Sequence, residues 1–83
     1  MDQPEWWEWD LVFVAHVEDR MEERGFSELE LRTALHDAIA ITPSRQAGRW
    51  VVSAALGGRR WTVVVEPDAD EQVTYVVTAY RSS

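Results

Sequence analysis

Apolar and polar positions change their spacing along this chain, and each change marks an element. After a loose stretch at 1–5, Trp6-Trp7-Glu8-Trp9-Asp10 alternates. Trp7 and Trp9 fall on one side and Glu8 and Asp10 on the other, as in a short edge strand over 6–10. The spacing then becomes helical. Asp10 is placed to cap a helix over 11–24 whose core stripe is Val14, Val17 and Met21. His16 and Arg20 flank that stripe with Phe13 and Arg24, and Glu18, Asp19, Glu22 and Glu23 fill the outer arc. Gly25 ends the helix, because glycine takes the left-handed conformation cheaply and the arginines of the last turn suit its carbonyl end. Ser27 opens the next one: Glu30 completes a capping box, and Phe26 before the cap can pack on Leu31. This second helix, over 28–39, buries Leu31, Ala34, Leu35, Ala38 and Ile39, and Thr42-Pro43-Ser44 closes the helical region.

From Arg49 the period is two. Residues 49–56 and 59–66 flank Gly57-Gly58, a pair that accepts the positive φ of a tight hairpin turn. A two-residue turn sets Leu56 opposite Arg59 and Arg49 opposite Glu66. Trp50, Val52, Ala54, Trp61, Val63 and Val65 then share one face. After a loop at 67–71, residues 72–80 alternate as a third strand, and pairing Glu66 with Gln72 adds Val73, Tyr75, Val77 and Ala79 to that face. The opposite face carries Val51, Ser53, Ala55, Arg60, Thr62, Val64, Thr74, Val76, Thr78 and Tyr80. Two helices cover one face of a sheet. The expected architecture is a single α+β domain, with two helices on one side of an antiparallel sheet of three strands, or four if 6–10 joins its edge.

Composition adds constraints. Eighty-three residues, 46% of them hydrophobic and five of them tryptophan, suffice for one modest core without metal or disulfide. Cysteine is absent, which removes disulfide and thiolate chemistry and suits a reducing compartment. Charges interrupt every apolar run well before about 18 residues, so neither a membrane span nor a secretory core segment is expected and the chain reads as cytoplasmic. A net charge of −7 opposes binding to phosphate backbones. Its distribution is uneven: most acids precede Asp37, whereas Arg45, Arg49, Arg59, Arg60 and Arg81 make the second half locally basic.

One helix histidine, His16, is followed at helical spacing by Arg20-Met21 and then by Arg24-Gly25. An aromatic residue, Ser27-Glu28 and a closing Val76-Val77-Thr78-Ala79-Tyr80 come after them. This succession resembles the bacterial domain-of-unknown-function family 4258, over His16 to Tyr80. The resemblance implies the fold shared by the RelE, barnase, EndoU and colicin ribonucleases, a group that includes toxins of toxin–antitoxin pairs and toxin tips of larger secreted proteins. It therefore implies a RelE-like order of (β)ααβββ and RNA cleavage as an activity. By position, His16 matches the family's helix histidine, and Thr78 and Tyr80 its closing strand motif. Two features depart from the pattern: RelE-like toxins are usually basic, and the start with Trp6, Trp7 and Trp9 is not part of it.

RNA cleavage without a metal needs a group to take the 2′-hydroxyl proton, one to protonate the leaving oxygen and a cation for the developing charge. His16 is the acid–base candidate, since a free imidazole titrates near neutrality. Arg60 can hold phosphate, and Thr78 and Tyr80 can donate hydrogen bonds. These four close into a site if His16, on a covering helix, reaches an edge of the sheet. His16, Asp19 and Glu23 on one helix edge, with His36-Asp37 on the next, lack the ligand spacing of zinc sites, and no cofactor motif is present.

Two functions follow as expectations. One is a small ribonuclease toxin acting on RNA or the ribosome and held by an antitoxin. The other is a non-catalytic acidic interaction module of the same fold, with Trp7 and Trp9 as anchors for a protein partner or a second copy, since tryptophan is enriched at interface hot spots.

Overall fold

A computed structural model describes residues 5–25 and 27–81, so the expected packing of Phe26 on Leu31 lies outside the described residues. Among them, a 3₁₀ turn (Glu5–Glu8) precedes strand β1 (Asp10–Phe13), helix α1 (Ala15–Arg24) and helix α2 (Glu28–His36). Strands β2 (Ala40–Pro43), β3 (Trp50–Leu56), β4 (Arg59–Asp68) and β5 (Val73–Arg81) follow. The strands form one sheet in the order β1-β5-β4-β3-β2, antiparallel throughout except that β1 runs parallel to β5.

The β3–β4 hairpin is the centre of this arrangement. Gly57 and Gly58, at φ 60° and 76°, make the turn, and Leu56 faces Arg59 as the two-residue loop requires. The ladder runs back to Trp50 opposite Val65, and one step further Arg49 Nε meets Glu66 Oε1 at 3.0 Å. Val52, Ala54, Trp61, Val63 and Val65 are buried on the helix side. Val17 and Met21 of α1 and Leu31 and Leu35 of α2 join Val52, Val63, Val65 and Val76 in the core. Each such side chain removed from water stabilises the fold by about 1.5–3 kcal/mol relative to exposure.

The helix ends follow their local chemistry. Gly25 sits at φ 76° and its N–H bonds to the Glu22 and Met21 carbonyls. Ser27 Oγ accepts from the Glu30 N–H at 3.2 Å, and Glu30 Oε1 accepts from the Ser27 N–H at 3.1 Å, a complete capping box.

Three expectations are corrected. The sheet has five strands and is mixed, not three or four antiparallel ones. The amino-terminal strand is Asp10–Phe13 rather than 6–10, and α1 begins at Ala15 rather than Leu11. Leu11-Val12-Phe13 suits a strand once β5 offers it a free edge, and Phe13 becomes a core residue opposite Val76. The tryptophans before it turn instead of extending, with the Trp9 N–H bonded to the Trp6 carbonyl at 3.1 Å. Likewise α2 stops at His36, and the apolar stretch after it becomes edge strand β2. The Ile39 N–H bonds to the Ser53 carbonyl at 2.7 Å, and Ile39, expected in the core, is 52% exposed. Pro43 ends β2 where the sheet's edge tolerates a missing donor.

The third correction concerns β5. Strand β4 continues to Asp68, whose Oδ1 accepts from the Asp70 and Glu71 N–H groups in a tight turn, so Glu66 pairs with Tyr75 and not with Gln72. Thr74 and Val76 are consequently buried, and Val73, Tyr75 and Val77 are not. Val77 is then an extra residue: Val76 pairs with Val65 and Thr78 with Val64, which leaves Val77 bulged between them. Beyond the bulge the phase is restored, with Ala79 buried and Thr78 and Tyr80 on the uncovered face as expected.

Candidate functional site

Strand β5 is longer than its parallel neighbour. β1 covers it only as far as Val76, opposite Phe13, and the chain leaves the sheet there through a bond from the Val14 N–H to the Val76 carbonyl at 3.4 Å. Helix α1 starts at once, so its first turn stands beside the bare edge of β5 just where the bulge re-aims the strand. This placement brings His16 to the sheet: its Nε2 lies 3.3 Å from Thr78 Oγ1. The condition for the site to close, a helix histidine reaching an edge, is met for these two residues.

Tyr80 stands two residues beyond Thr78 on the same face, opposite Thr62, and is 46% exposed. Arg60 also shares that face, opposite Ala55, and among the described residues it forms no ion pair. It is further away: Arg60 lies four positions along β4 from Val64, the partner of Thr78, a backbone separation of about 13 Å. Its guanidinium therefore serves this edge only at a distance of several residues. Tyr75, opposite Glu66, is a further hydroxyl on the same face. The sequence hid it, because the assumed register of β5 turned it inward.

Trp7 and Trp9 are elsewhere. Both are half-buried and packed against the core, Trp7 with its ring edge-on to Trp6 at a centroid distance of 5.5 Å. Arg32 lies near this end and its cation is engaged. It bonds to Glu28 Oε1 at 2.7 Å and to the Leu11 carbonyl at 2.9 Å, and it sits 5.3 Å from the Phe13 ring centroid. No group of three or more His, Asp or Glu side chains suited to a metal ion occurs among the described residues, and none of the described helices is long and apolar enough to cross a membrane.

Fold and site together define a small α+β domain in which a helix-start histidine is bonded to the closing strand of a mixed sheet. The chain belongs to the family described as "Domain of unknown function (DUF4258)", whose match spans residues 13–81. That span takes in His16, Arg60, Thr78 and Tyr80 and leaves out Trp7 and Trp9. No curated protein and no solved structure matches the chain.

Proposed function

We propose that the chain is a metal-independent endoribonuclease with a RelE-like fold, a toxin that acts on RNA in the cytoplasm and is held by an antitoxin. The observation that carries this reading is the His16–Thr78 contact, which joins the acid–base candidate to the strand bearing Tyr80. On this reading His16 Nε2–H donates to Thr78 Oγ1, which orients the ring and leaves the Nδ1 lone pair free. Nδ1 takes the proton of a ribose 2′-hydroxyl. The 2′ oxygen attacks the adjacent phosphorus, the bond to the 5′ oxygen breaks, and that oxygen leaves with a proton from water, giving 2′,3′-cyclic phosphate and 5′-hydroxyl ends. The Thr78 and Tyr80 hydroxyls donate to the non-bridging oxygens, where negative charge builds. Arg60, further along the face, holds a neighbouring phosphate.

Induced expression in a bacterial host tests this reading, with wild type beside His16→Ala at matched soluble levels. Arrest by the wild type alone, with cyclic-phosphate RNA ends, is the expected result. Undiminished arrest by folded His16→Ala removes His16 from the mechanism.

A second reading, a non-catalytic protein-binding module with Trp7 and Trp9 as anchors, is favoured by the net charge of −7. It predicts arrest by neither protein. It also predicts a partner captured by the intact chain and lost when residues 1–9 are removed.

A further inference from the structure

The helices cover one face of the sheet, and the residues of the bare face are ordered about a centre. Thr42, Val51, Val64 and Thr78 pair in turn across β2, β3, β4 and β5 and form one row. Val52, Val63, Val65 and Ala79, beside them on the same strands, are buried toward the helices, so this row faces away from them. Tyr80, opposite Thr62, lies to one side of the row, and Tyr75, opposite Glu66, lies to the other. Thr62 and Glu66 are each two residues from Val64. Further out on β4, Arg60 stands four residues before Val64 and Asp68 four after it, about 13 Å from the row in each direction. Asp10 shares the row of Asp68 through Val73.

Charge follows the same order. Arg60, Asp68 and Asp10 form no ion pair among the described residues, whereas Glu66, between them, is held by Arg49 at 3.0 Å. The face therefore has a middle of valine and threonine, a tyrosine on either side, a cation at one end and acids at the other. A polyanion laid along it would meet Asp10 and Asp68, and a polycation would meet Arg60. A partner that fits the whole face must carry its charges in the opposite order. A second copy, turned about a two-fold axis lying along the central row, presents that order. Each row then meets the row equally far on the other side: Val64 meets Val64 of the second copy, Tyr80 meets its Tyr75, and Arg60 meets its Asp68. Stacked sheets align their strands within about 30°, which leaves a long arginine side chain within reach of the acidic row. Five strands about 4.8 Å apart and eight residues of about 3.3 Å give a footprint of about 500 Å² per copy, or about 1,000 Å² in all, at the small end for specific association.

We propose that the bare sheet face binds the same face of a second copy, in a weak two-fold dimer with Val64 on its axis and Arg60 against Asp68 at both ends. Thr78 and Tyr80 lie inside this interface, so pairing closes the His16 edge and dilution opens it. Dimerisation does not rest on the ribonuclease reading, because it is measured without RNA.

Sedimentation velocity of the full chain tests it, in about 0.15 M salt, where the repulsion between two net charges of −7 is screened beyond about 8 Å. The wild type is expected to pass from monomer to dimer below about 1 mM. Arg60→Asp and Asp68→Arg, each setting like charges against one another at both ends, should weaken association by about tenfold or more. Mixed in equal amounts, these two variants restore both end pairs in the heterodimer, which should form at least about tenfold more tightly than either variant pairs with itself. Val64→Glu places two like charges on the axis and should leave a folded monomer. The proposal is overturned if the wild type stays monomeric at about 1 mM, including a monomer that binds single-stranded RNA on this face. It is equally overturned if folded Val64→Glu dimerises as wild type does, or if the mixture associates no more tightly than its components. Asp68 Oδ1 also holds the β4–β5 turn. Should Asp68→Arg fail to fold for that reason, folded Val64→Glu and Arg60→Asp decide the matter.

Discussion

Two threonines of β5 make the most instructive pair in the molecule. Thr74 and Thr78 each place Oγ1 3.3 Å from an atom of the amino-terminal segment, the Trp6 carbonyl in one case and His16 Nε2 in the other. Their surroundings differ. Thr74 is fully buried beneath the tryptophan turn and beside β1, whereas Thr78 lies past the end of β1 and is half-exposed, and its histidine partner is exposed. A hydrogen bond sealed from water is costly to break, because the group left behind stays unsatisfied. The same bond open to water can be exchanged for one to solvent or substrate at little cost. One half of the strand is therefore built for stability, and the other leaves its hydrogen-bonding groups available.

Substitutions at the two halves should separate accordingly. Trp6→Ala removes the largest piece of the sealed end and should destabilise the protein by about 3–5 kcal/mol, read from the urea midpoint. Thr74→Ala, which removes a buried methyl group and one of the two hydrogen bonds to the Trp6 carbonyl, should cost about 1–3 kcal/mol in the same measurement. Arg32→Ala loses the link from α2 to β1 and the stacking on Phe13, at about 1–2 kcal/mol, with the exposed Glu28 pair adding little. Ser27→Ala should cost about 1 kcal/mol, from the loss of a cap alone. At the open end, His16→Ala should stay within about 0.5 kcal/mol of wild type, as an exposed substitution does. A loss at His16 as large as that at Thr74 would erase the distinction.

Legibility in the sequence divides along similar lines. The hairpin was readable because turn chemistry and alternation agree: Gly57-Gly58 fixes the register, and every second residue from Val52 to Ala54 and from Trp61 to Val65 is apolar and buried. The capping box of Ser27 and Glu30 was readable for the same reason, being decided by residues three apart. β1 was not, because nothing local distinguishes Leu11-Val12-Phe13 from the first turn of a helix. Its strand state depends on pairing with β5, more than sixty residues away. β2 was hidden by Ala38 and Ile39, which continue the helical spacing past the point where α2 ends. Of the candidate site, the residue types and the shared face of Arg60, Thr78 and Tyr80 were visible. The approach of His16 to Thr78 was not, since it requires α1 to begin at the edge that β1 leaves bare.

The bulge at Val77 has a consequence for how this chain can change length. Removing a residue from the interior of a strand normally turns everything on one side of the deletion inside out. Removing Val77 would not, because it has no partner on β4; Thr78 would follow Val76 directly and every other side chain of β5 would keep its side. Val77 is therefore the position where β5 can lose a residue with its core intact. What it would lose is spacing: Thr78 would be drawn toward Val76, to which the start of α1 is tied, and the His16 contact would be disrupted. The surplus residue contributes length between an anchor and a working group, and a shortened chain would fold and give up that reach.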